Sequence, residues 1–120
     1  MNSRCKFSVS LRVYGEDLSI SEVSGLLRLE PTDTQMRGER AVLGRVFQQA
    51  MWGYHLDSDP FAPLEKQIQQ VLGVFLSREE ELRALSKRFD VVLWCAAFTS
   101  NPECTIELGP EVLRTICELW

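Results

Sequence analysis

The stretch from Asp90 to Leu108, DVVLWCAAFTSNPECTIEL, is an apolar run, a short polar break and then an alternating run. A strand that is apolar on both faces belongs inside a sheet, and such a sheet organises whatever packs around it. Strands are therefore expected from Asp90 to Phe98 and from Cys104 to Leu108, joined by a turn over Thr99 to Glu103. Near the start, Cys5 to Tyr14 alternates. Cys5, Phe7, Val9, Leu11 and Val13 fall on one side and Lys6, Ser8, Ser10, Arg12 and Tyr14 on the other, the pattern of a strand with one wet face.

Between these strands the period changes from two to three or four. Gly15, Glu16 and Asp17 make a turn, and Ser19 with Glu22 forms a capping box opening a helix. That helix would bury Ile20, Val23, Leu26 and Leu27 and end before Pro31. The polar segment Thr32 to Glu39 reads as an exposed loop. Arg45 to Leu56 reads as a strand bent near Gly53, with a helix over Ala41 to Ala50 as the competing reading. Asp57, Ser58, Asp59 and Pro60 look like a helix opening, with Asp59 or Ser58 as cap. The stripe Leu64, Ile68, Val71, Leu72, Phe75 and Leu76 has helical spacing. Ser77 to Phe89 either continues that helix or begins another, because Ser77 with Glu80 again resembles a capping box. A last helix runs from Pro110 to Leu119, with Val112, Leu113, Ile116 and Leu119 inward. The order predicts an α+β fold: an antiparallel-rich sheet of four to five strands with helices packed on one face, a two-layer sandwich, one domain over residues 1–120.

Several functions lose support on the same evidence. Net charge is −4 and the bases are scattered, so a phosphate-binding surface for nucleic acid is not expected. The longest apolar stretch, Val91 to Phe98, is far below the roughly 20 residues of a membrane span. The first residues carry no apolar segment of the secretory kind, so a cytoplasmic location is expected. Cys5, Cys95, Cys104 and Cys117 include no pair at zinc-ligand spacing, three of them lie in apolar-patterned elements, and they are expected to be reduced core cysteines, without a metal. His55 is the only histidine and has no nucleophile motif near it. Glu79, Glu80 and Glu81 splay by about 100 degrees each on a helix and cannot converge on one atom. The glycines match neither a dinucleotide fingerprint nor a P-loop. No catalytic residues and no cofactor are expected. Among the aromatics, Trp94 is expected in the core, while Trp52 and Tyr54 share a strand face that is either core or groove.

The segments SVSLRVYGEDL and GLLRLEPT, a later Gly38, Trp52 in a strand, and LWCAAFTSNPECTIELGPEVL together resemble DUF4279, a bacterial family of small domains of unknown function. The resemblance implies a compact α+β domain without an established activity, and some members accompany bacterial toxins as candidate immunity proteins. Two departures stand out. Ser100 to Glu103 replaces a glycine-rich turn, and the chain stops at Trp120, where the family commonly adds a strand. A missing strand would leave an edge open to a second copy or a strand-adding partner. The expected function is accordingly a non-enzymatic protein-binding domain, in its concrete form an immunity-type inhibitor of a basic toxin domain. Contacts would come from Glu16, Asp17, Arg37, Trp52, Asp57, Asp59, Asn101 and Glu103. The alternatives are a small-molecule pocket between Trp52, Tyr54, His55 and the long helix, or a structural homodimer.

Overall fold

A computed structural model describes residues 5–40, 44–98, 106 and 108–120. The alternating N-terminal segment forms β1 (Lys6–Gly15), followed by α1 (Ile20–Leu27), β2 (Asp33–Gln35) and β3 (Ala50–Tyr54). Helix α2 (Leu64–Phe75) passes through a 3₁₀ turn over Leu76–Arg78 into α3 (Glu79–Ser86), and β4 (Asp90–Phe98) and α4 (Pro110–Leu119) complete the fold. Among the described residues all pairings are antiparallel and the strand order is β2-β3-β1-β4. The α+β fold with helices on one face is as the sequence implied.

Registry explains which residues are covered. Leu11 lies opposite both Tyr54 and Leu93, and Val13 opposite both Trp52 and Val91, so these share one face. That face is buried with Val23 and Leu27 of α1, Ile68, Leu72 and Phe75 of α2, Leu82 and Leu85 of α3, and Val112 and Leu119 of α4. The Ser19 hydroxyl accepts the Glu22 amide and caps α1 as expected. Glu65 in the first turn of α2 accepts the Gly109 amide at 2.7 Å, tying α2 to the start of α4.

Several expectations are corrected. Strand β4 lies at the end of the sheet among the described residues, while β1 and β3 occupy the interior positions. The second apolar set of β4 (Val92, Trp94, Phe98) is therefore on the helix-free face and not under a second layer. Trp94, expected in the core, is only partly buried there. The expected strand from Cys104 to Leu108 falls mostly outside the described residues, and Ile106 and Leu108 are not in a strand. Three residues of the expected loop, Asp33–Gln35, pair with β3. The strand read from Arg45 to Leu56 shrinks to Ala50–Tyr54, and residues 45–49 are not helical. Asp59 does accept a backbone amide, that of Phe61 at 3.0 Å, but this closes a turn, and α2 begins at Leu64 after Pro63. Ser77 does not cap α3. Cys95 and Cys117 are free and exposed, not buried core thiols, and Cys5 is disulfide-bonded, against the expectation of reduced cysteines throughout. Partial burial pushes the Cys95 thiol above its ordinary pKa, so it is held more protonated than a free cysteine.

Gly15 closes β1 against Phe89: a Cβ there would meet Phe89 Cδ1 at 2.4 Å. Gly15→Ala should therefore destabilise the fold by about 1–3 kcal/mol through overpacking, read as a lower urea midpoint at unchanged slope. An unchanged midpoint would show that the Phe89 ring moves aside freely.

Candidate functional site

The first half of β1 borders a gap. Antiparallel pairing with β3 runs only from Gly15↔Ala50 to Leu11↔Tyr54, whereas pairing with β4 extends to Lys6↔Phe98. After Tyr54 the chain leaves the ladder and returns at Pro60, whose carbonyl accepts the Phe7 amide at 2.8 Å. Between these points lies a cleft of about 270 Å³, lined among others by Lys6, Ser8, Val9, His55, Asp57 and Gln67. Gln67 is 4% exposed, and its Nε2 donates to the carbonyls of Pro60 and Ala62 at 3.2 and 3.0 Å. Two carbonyl neighbours require the amide nitrogen on that side. Gln67 thus lines the cleft as a buried polar side chain held in place by its nitrogen.

His55 follows β3 at the rim of this cleft. Its Nδ1 lies 2.9 Å from Thr32 Oγ1 and 3.1 Å from Asp33 Oδ2, and its amide donates to Thr32 Oγ1 at 2.9 Å. The imidazole is about half exposed, which fits a residue that ties β2 to the end of β3. Among the described residues no group of three or more His, Cys, Asp or Glu could hold a metal.

The second candidate is the helix-free sheet face. Arg12 stacks over Trp94 with its guanidinium carbon 3.9 Å from the ring centroid, and it also donates to Ser10 Oγ at 3.1 Å and Tyr14 Oη at 3.2 Å. Beside this stack Val92 is 38% exposed and Phe98 56%. The stack holds a flat aromatic and a charged fork in place on an open surface.

The contact residues read from the sequence do not converge. Glu16 and Asp17 follow the last residue of β1, whereas Asp57 and Asp59 lie past the end of β3, beside the first residues of β1. A ten-residue strand separates these ends by roughly 30 Å. Arg37 follows β2 on the Glu16 side, and all five are exposed. Asn101 and Glu103 lie outside the described residues. Trp52 is overturned as a contact: it is 0% exposed, its Nε1 donates to Ser24 Oγ at 3.0 Å, and it packs edge-on against Phe75. It shares the covered face with Val13, so no partner can reach it.

Sequence reasoning passed over Gln67 and the Arg12–Trp94 pair. Gln67 stands three after Leu64 and four before Val71, a polar residue inside an apolar stripe, and that was the available signal. Arg12 and Trp94 are 82 positions apart by number, so only strand registry unites them.

Comparison with known families decides the affiliation. The model of a family described as a domain of unknown function, DUF4279, matches residues 3–119. The chain belongs to the DUF4279 family. For this DUF4279 domain the match spans every element of the fold, from β1 to α4. Comparison with curated proteins and with solved structures found no match.

Proposed function

We propose that this DUF4279 domain is a non-enzymatic protein-binding module that docks its partner on the helix-free face of the sheet. The observation that carries the reading is the Arg12–Trp94 stack flanked by exposed Val92 and Phe98. Arginine and tryptophan are the residue types that most often anchor interfaces, and the stack is already ordered before any partner arrives. Net charge of −4 favours a basic partner at the encounter stage. In its narrower form the proposal makes that partner a toxin domain. A cytoplasmic location is part of the proposal; no described helix is long and apolar enough to cross a membrane, and the disulfide at Cys5 is the feature that weighs against that compartment.

Val92→Glu and Trp94→Ala test the reading, since both lie on the uncovered face. Co-purification from the source cells should yield a protein in stoichiometric amount with the wild-type domain, and each variant should lose at least tenfold in affinity while its melting temperature changes little. Equal retention by the variants, or no stoichiometric partner, would overturn it. Sedimentation of the purified domain covers the homodimer: there a concentration-dependent dimer should be broken by Val92→Glu.

A further inference from the structure

We propose that the cleft beside the first half of β1 binds an extended peptide main chain, which takes the place that β3 vacates after Tyr54. Phe7 directs its amide toward Pro60, on the β3 side, and residues two apart on a strand point the same way. Val9 therefore turns its N–H and C=O to that side as well. Continuing the ladder two residues past Leu11↔Tyr54 would set Leu56 opposite Val9, but the pairing with β3 stops at Tyr54. Among the described residues no backbone group outside the strands pairs with Val9. Val9 is 5% exposed as a residue, and buried main-chain groups rarely go without a partner.

What fits there follows from the groups on offer. An N–H and a C=O from one extended residue are complementary to one residue of an antiparallel strand, which accepts from the first and donates to the second. The Gln67 amide, fixed by the two bonds its nitrogen makes, adds a polar side chain to the cleft wall that an incoming main chain would meet. A cleft of about 270 Å³ is on the scale of a short extended segment and small for a folded element. Lys6 and Asp57 also line the cleft and would read side-chain charge on the incoming strand, while the main-chain bonds supply sequence-tolerant affinity. This site is on the β3 side of β1, apart from the Arg12–Trp94 face, so either proposal can fail without the other.

Amide exchange and titration of the ¹⁵N-labelled domain test it. In the free protein the Val9 amide should exchange at least tenfold faster than those of Ser10 and Leu11, which are held in the ladders. Addition of a randomised pool of N-acetylated, C-amidated tetrapeptides should shift and protect Val9, and a pool N-methylated at alternate amides should bind at least tenfold more weakly. Gln67→Leu should weaken the unmethylated pool several-fold. The proposal is overturned if Val9 is already protected without peptide, if neither pool perturbs it, or if methylation makes no difference.

Discussion

Trp52→Ala should cost about 3–5 kcal/mol of stability, the range for removing a large aromatic from a packed core. Trp52 is fully buried, parallel to Tyr54 at 6.3 Å and edge-on to Phe75 at 6.5 Å, with its indole N–H satisfied by Ser24 of α1. Truncation would open a cavity where β3, α1 and α2 meet and leave the Ser24 hydroxyl without its donor. Equilibrium urea unfolding measures the loss, and Trp52→Phe should recover part of it by refilling the cavity without the hydrogen bond. A loss below about 1 kcal/mol would mean that the site collapses around the deletion. The same variant separates core from interface: partner binding should follow only the fraction folded.

Arg78→Ala should lower stability by about 1.5–3 kcal/mol, the range for hydrogen bonds to a charged group. Arg78 sits in the 3₁₀ turn between α2 and α3. Its Nε donates to the Leu27 carbonyl and its Nη1 to the Val74 carbonyl, both at 2.6 Å. Leu27 is the last residue of α1 and Val74 lies in the last turn of α2, where carbonyls lack helical partners. One guanidinium thus satisfies two helix ends and holds them together. Arg78→Lys should recover little, because an ammonium lacks the planar fork that reaches both oxygens. Urea unfolding of the two variants checks the ranking, and full stability in Arg78→Lys would show that charge alone suffices.

The elements that sequence reading placed correctly are those in which local pattern and environment agree. The alternation of β1, the Ser19 cap of α1 and the stripe of α2 each depend on residues within one or two turns of one another. The misplacements share another cause. Strand β2 is three residues long and lacks a periodic signal; it exists because β3 offers an edge to it. Asp59 has cap chemistry, but whether a cap serves a turn or a helix depends on where Pro63 lets α2 begin. Of the candidate site, the cleft's polar groups were visible as residue types, whereas their convergence beside Val9 follows from β3 ending at Tyr54.

The order of residues along the chain determined which side chains share a face, because the periods of strand and helix are local properties of the backbone. It also determined the α+β class. Tertiary structure alone decided which face is covered. Trp94 has the more apolar neighbours in sequence, yet pairing to β1 puts Trp52 beside Val13 under the helices and Trp94 beside Ser10 on the open side. That outcome rests on contacts between residues dozens of positions apart, where burial of the larger apolar area selects the partner and no short-range pattern records the choice.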